Sequence, residues 1–108
     1  MAWSEEVKKI LEGGISLSSL SINNWTLSKD QAILAIDKFE RHKIPILGSD
    51  VYEMADGYPE TNCDNWHCDR NANEELEGFV ARSVRFARDY IESYSNPSAQ
   101  ETYFVLVV

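Results

Sequence analysis

The last seven residues, Thr102 to Val108, read TYFVLVV and constrain the fold more than any other stretch of the chain. They are mostly aromatic or β-branched, and they lack the polar alternation of a strand that keeps one face in water. A run of this kind is typical of a strand that is buried on both faces. The sequence therefore predicts a sheet with this C-terminal strand at its centre.

Two further strands are predicted in the middle of the chain, over Ile46–Met54 and about Glu60–His67. Asp56-Gly57 lies between them, and this dipeptide is typical of a tight hairpin turn. Pro59 fits at the start or edge of the second strand because it cannot donate to a ladder of hydrogen bonds. The predicted unit is an antiparallel hairpin.

Apolar residues with a helical period predict three helices. Each prediction includes a start or stop signal, such as an N-cap residue, a capping box or a glycine pair. The predicted helices are one that Gly13-Gly14 ends, one from about Lys29 to Lys43 after a capping box of Ser28 and Gln31, and one from Glu74 to Tyr94 capped by Asn73.

Two points of local structure stay open at this level. Ile15 to Leu27 mixes alternation with Ser and Asn, which fits irregular structure, a short strand or a single helical turn. The strand over Ile46–Met54 has no uniformly apolar face. If Leu47 and Val51 face the helices, Asp50 and Tyr52 face outward.

These elements together predict an α+β fold. A chain of 108 residues fits one domain, here residues 1–108, with a single core. We expect three main helices packed on a small, mostly antiparallel sheet whose central strand is the C-terminal one.

The negative charge of the chain is confined to one segment. The chain has 18 acids and 10 bases, for a net charge of −8, and Asp50 to Glu77 holds nine of the acids with Arg70 as its one base. This segment alone therefore carries the whole net charge. Such acidity argues against direct binding of nucleic acid or an anionic membrane and favours a basic protein partner. The N-terminus lacks the apolar core of a secretory signal, so a cytoplasmic location is expected.

Aromatic residues alternate with the carboxylates of this acidic segment. Aromatic anchors surrounded by charge are common in tight protein interfaces, where the rings give desolvated contact and the charges steer the partner. The alternative is an ordinary solvated face, with Trp66 in the core. The predicted partner-binding residues are Asp50, Tyr52, Glu53, Asp56, Tyr58, Glu60, Asp64, Trp66 and Asp69.

Cys63, His67 and Cys68 are the candidates for other chemistry. They could supply three zinc ligands, with Asp64 or Asp69 as a fourth, in a metal-binding or redox-sensing module. No second Cys or His pair completes a usual zinc pattern, and the cysteines are expected to be reduced thiols in a chain without an export signal. The sequence shows no nucleophile with a positioned base and no phosphate-binding loop. We therefore expect that the protein is not an enzyme and that it holds no cofactor and no metal.

The chain resembles the immunity protein 40 family of bacterial polymorphic toxin systems. The resemblance spans nearly the full chain in the same order. It rests on Ile44 to Tyr52 (IPILGSDVY), on Asp64-Asn65-Trp66-x-Cys68, on Asn24-Trp25-Thr26-Leu27 followed by Ala32 and Ala35-Ile36, and on the apolar C-terminal strand.

What the resemblance implies is a small cytoplasmic antitoxin that binds and neutralises a cognate toxin domain. It supplies no interface residues, so the candidate residues above come from the charge and aromatic pattern alone. Because many secreted nucleases are basic, a nuclease is the expected kind of toxin.

Overall fold

The computed structural model describes residues 4–22, 24–55, 57–95 and 101–108, with the backbone only at Ala55 and Cys63. Three helices alternate with short and long strands along the chain. In order, the elements are α1 (Glu5–Leu11), β1 (Ile15–Ser16), a 3-10 turn (Ser18–Leu20), β2 (Trp25–Thr26), α2 (Lys29–Arg41), β3 (Gly48–Ala55), β4 (Tyr58–His67), α3 (Leu76–Ser93) and β5 (Thr102–Val107).

The predicted α+β architecture is confirmed, with an antiparallel sheet in the order β4-β3-β5. The hairpin prediction is also confirmed: Ala55 pairs with Tyr58 across a two-residue connection. Gly57 has a φ of 84°, a left-handed conformation that glycine adopts without strain. The sheet is therefore built around a tight hairpin, with the C-terminal strand added to its other side.

β5 has a neighbour on each side, as the prediction of a C-terminal strand inside the sheet requires. It pairs with β3 over its whole length, and Phe104 exchanges two backbone hydrogen bonds with Leu27 on the other side, at 2.7 and 2.8 Å. Within the three-stranded sheet, however, β3 is the middle strand. Burial of Phe104, Val105 and Leu106 accounts for the absence of polar alternation in this strand.

α1 begins after Ser4, whose hydroxyl accepts from the Val7 N–H, and it ends at Leu11, just before Gly13-Gly14 as predicted. α2 begins at Lys29 with the predicted capping box of Ser28 and Gln31, and it ends at Arg41, two residues before the predicted end. α3 begins only at Leu76, and its N-cap is Glu75 without a side-chain hydrogen bond. The predicted cap at Asn73 is wrong because the segment before Leu76 is held by other contacts, described below.

The helices pack on one face of the sheet. Val51, Phe104 and Leu106 enter a core with apolar residues of α1, α2 and α3. Val51 therefore faces the helices, which answers the question of register that the sequence left open. Leu47 is 41% exposed, because it precedes β3 and joins the sheet only through its backbone. No helix in the described ranges is long and apolar enough to cross a membrane.

The opposite face of the sheet is covered only in part. Leu17, at the start of the 3-10 turn, packs against Tyr52 and Val105 in a second, smaller cluster. Leu17 lies in the Ile15–Leu27 segment left open above, which contains two very short strands and a 3-10 turn. This segment thus supplies the cover of the outer sheet face.

Candidate functional site

The sheet distributes the predicted partner-binding residues over both of its faces. Directly paired residues of neighbouring strands share a face. Asp50 pairs with Asn65 and Tyr52 with Thr61 on the outer face, whereas Trp66 pairs with Ser49 on the helix face. The register shifts by a bulge between Asp50 and Tyr52, so β4 does not keep one alternation along its length. The nine residues therefore do not form one flat patch.

Two of the three predicted aromatic anchors are not exposed: Tyr52 is buried and Trp66 is half-buried. Tyr52 is 8% exposed because Leu17 covers its ring, and this burial together with the Asp50 charge raises the pKa of the Tyr52 hydroxyl. Trp66 is half-buried against the helix-face core. Tyr58, beside the hairpin turn, is 71% exposed. Of the three predicted anchors, Tyr58 alone has a fully accessible ring.

The acidic residues nearest the hairpin turn lie close to one another. Glu53 on β3 lies directly opposite Glu60 on β4. Glu60, Asp64 and Asp69 are exposed, whereas Asp50 is half-buried. Asp56 lies outside the described residues. The hairpin sequence from 48 to 67 contains neither Lys nor Arg, so no base of its own offsets these charges.

Asp64 is held in place by a hydrogen-bonded tyrosine. The Tyr94 hydroxyl donates to Asp64 Oδ2 at 2.6 Å and accepts from Asn62 Nδ2 at 2.8 Å. Burial and this carboxylate raise the pKa of Tyr94 to about 12. One acid of the predicted set is therefore fixed before any partner arrives.

A row of aromatic rings connects β4 to α3. Phe86, Tyr90 and Tyr94 recur at a spacing of four, which places them on one face of the helix. Trp66 stacks on Phe86 at a centroid distance of 6.4 Å and makes a tilted contact with Tyr90 at 6.0 Å, and the Tyr90 and Tyr94 rings are 5.7 Å apart. The predicted set of partner-binding residues did not include Phe86, although its spacing of four from Tyr90 and Tyr94 could have revealed this row.

Arg82 of α3 pins the loop between β4 and α3. Its guanidinium forms two hydrogen bonds with the Glu74 carboxylate, at 2.8 and 2.7 Å, and donates to the Asp69 carbonyl and to Cys68 Sγ. The Arg82 hydrogen bonds lower the pKa of Glu74 to about 2, and Glu74 in turn raises that of Arg82. Glu74 also accepts from the Asn71 N–H. These contacts hold Glu74 outside the helix and explain the late start of α3.

The same contacts bear on the alternative of a metal-binding or redox module. Cys68 is buried and its sulfur accepts a hydrogen bond from Arg82 at 3.2 Å, whereas the neighbouring His67 is exposed. The side chain of Cys63 lies outside the described residues. Within the described part of the chain, no three His, Cys, Asp or Glu side chains are grouped to hold a metal ion. No structural observation favours this alternative.

Comparison with known proteins gives one match. The family model described as immunity protein 40 matches residues 16–108, which include every strand of the three-stranded sheet, α2 and α3. No curated protein and no solved structure matched the chain. The match covers the acidic hairpin and the aromatic row described above, and on its extent the chain belongs to the immunity protein 40 family.

Proposed function

We propose that the protein is an antitoxin that binds a cognate, basic toxin domain, such as a nuclease, and neutralises it by covering its working surface. Family membership supports the antitoxin role. The acidic segment supports the basic partner, because it carries the whole net charge of −8. Binding alone performs this function, without catalysis by this chain.

The observation that carries the proposal is the composition of the β3–β4 hairpin. It presents Glu60 and Asp64 at the surface and contains neither Lys nor Arg between residues 48 and 67. Lys or Arg side chains of a partner could contact these carboxylates. Surface charge of one sign steers a partner of the other sign and raises its association rate by roughly 10 to 10³-fold at low salt.

The test is a charge reversal with a matched control. Glu60→Lys changes the hairpin, whereas Glu12→Lys makes the same change in charge at the exposed end of α1. With the toxin domain encoded beside this chain's gene, we expect Glu60→Lys to slow association about 3- to 10-fold at low salt. Glu12→Lys should slow it less, and high salt should reduce the difference.

Stopped-flow association and calorimetry at two salt concentrations give these values, and circular dichroism checks that each variant is folded. Equal slowing by the two reversals would mean that only net charge matters and would remove the hairpin from the interface. Absence of binding by the wild-type protein at either salt concentration would refute the antitoxin proposal for this pair.

A further inference from the structure

An open groove lies on the outer side of α3, next to the row of aromatic rings. It encloses about 290 Å³ and is lined by Arg85, Phe86, Asp89, Tyr90 and Ser93, which we call the α3 groove. Phe86 is 57% exposed there, although its ring stacks on Trp66. Phe86 and the neighbouring Tyr90 therefore give the groove an aromatic lining that is open to solvent.

The Trp66 ring, which stacks on Phe86, is placed at a cost in hydrogen bonding. Trp66 Nε1 is fully buried and has no hydrogen-bond acceptor among the described residues. A buried donor without a partner costs folding free energy, and a phenylalanine at this position would avoid that cost. The indole therefore gives the surface around Phe86 a broad aromatic base at the expense of one hydrogen bond.

Charge identifies the kind of side chain that the groove fits. Asp89 lies in the groove wall. Asp64 accepts a hydrogen bond from Tyr94, whose ring lies 5.7 Å from that of Tyr90, and burial together with the Asp64 charge raises the pKa of Tyr90. Across the ranges that the structure describes, neither carboxylate forms a salt bridge with a Lys or Arg of this chain. Arg85, four residues before Asp89, is the one base of the lining.

We propose that the α3 groove anchors the cognate toxin by accepting one of its Lys or Arg side chains. The aliphatic stem would lie along the Phe86 and Tyr90 rings, and the cationic head would reach Asp89 and Asp64. Cations within about 6 Å of an aromatic centroid are attracted by the ring, and a carboxylate beside the ring strengthens that attraction. This inference rests on the proposed function and adds α3 to the acidic hairpin as a second part of the binding surface.

A single aromatic truncation with a matched control tests the groove. Phe86→Ala removes the exposed ring, and Leu34→Ala removes an equally exposed apolar side chain, 60% accessible, from α2. In calorimetric titration with the toxin domain, we expect Phe86→Ala to weaken binding by about 30-fold or more, the usual effect of a hot-spot residue. Leu34→Ala should stay within about twofold of the wild type, because it lies outside the proposed surface.

Two charge variants sharpen the assignment of the occupant. Asp89→Asn should weaken binding about 5- to 10-fold, because it removes a partner of the cationic head. Arg85→Ala should leave binding unchanged or make it tighter, because Arg85 repels a cation in the groove. Weakening by Arg85→Ala with no effect of Asp89→Asn would mean an acidic occupant and would overturn the proposal.

The outcomes separate this inference from the proposed function. If the wild type binds the toxin domain and Phe86→Ala binds equally well, the groove is not an anchor, although the antitoxin role stands. If the wild type does not bind, the proposed function fails first. Sedimentation of the chain alone tests whether a second copy of this chain occupies the groove. Self-association that Phe86→Ala abolishes would assign the groove to that second copy and overturn the toxin assignment.

Discussion

Ser83 provides the sharpest test of how α3 is joined to the sheet. Its side chain is fully buried, accepts a hydrogen bond from the Ile46 N–H at 3.0 Å and donates to the Val80 carbonyl at 3.1 Å. Ile46 is itself buried and lies two residues before β3. Ser83→Ala would leave the Ile46 N–H without an acceptor in the core.

The expected cost follows from two opposing effects. A buried donor that loses its partner costs about 1–3 kcal/mol. Alanine recovers about 0.5 kcal/mol because it has the higher helix propensity. The net loss of unfolding free energy is therefore about 0.5–2.5 kcal/mol. For a domain of this size, that loss lowers the midpoint of thermal unfolding by roughly 2–20 °C.

Ser93 supplies the matched control for this experiment. It lies on the same helix and also donates to carbonyls three and four residues earlier, but it is exposed and accepts from no buried N–H among the described residues. Ser93→Ala should change stability by no more than about 0.5 kcal/mol. Urea unfolding of both variants gives the comparison. A difference between them below about 0.5 kcal/mol would refute the claim that Ser83 anchors Ile46.

Two further predictions concern the Gly13-Gly14 pair and Glu74. A Cβ at Gly14 would clash with the Thr26 carbonyl oxygen, whereas one at Gly13 would meet nothing within 4 Å. Gly14→Ala should therefore cost about 1–3 kcal/mol in urea unfolding and Gly13→Ala almost nothing, and equal effects would contradict this. Because Arg82 lowers the pKa of Glu74 to about 2, that pair stabilises the fold above the ordinary carboxyl pKa of 4.5 and loses its contribution as the pH falls toward 2. Over this range the unfolding midpoint of Glu74→Gln should fall less steeply than that of the wild type, and parallel curves would contradict the assignment.

The elements that sequence patterns predicted are those with local signals. The capping box of Ser28 and Gln31 forms as expected, and Gly57 allows the tight turn between β3 and β4. Both depend on residues that are within four positions of each other. The unbroken apolar run of β5 was equally readable, because burial on both faces removes any need for polar alternation.

The elements that sequence patterns missed depend on distant contacts. The start of α3 was misplaced because Glu74 binds Arg82, eight residues away, instead of continuing the helix. Leu17 lies in a segment of ambiguous pattern, and its position is set by packing on Tyr52 and Val105, far along the chain. Such contacts leave no periodic trace in the sequence.

In the candidate site, the sequence predicted the charge but not the positions of the residues that carry it. Confinement of the net charge to one segment was readable, but the bulge in β4 determines which face each acid joins, and a bulge shifts alternation without an obvious residue signal. Tyr52 was predicted as an anchor and is buried, whereas Phe86 was overlooked and is exposed. Placing both correctly required knowing which residues the Leu17 segment and α3 cover.

The two proposed parts of the binding surface lie on consecutive elements that are already fixed in the free protein. Asp64 is bonded to Tyr94, the Trp66 ring stacks on α3, and Arg82 pins the loop that joins β4 to α3. A surface that is ordered before binding loses little side-chain and loop freedom when a partner docks, so more of the contact energy appears as affinity. The buried indole N–H of Trp66 costs stability in the free protein, and the aromatic row to which this ring belongs is part of the surface proposed to bind the toxin. For the proposed antitoxin role, this order before binding favours the complex with the toxin.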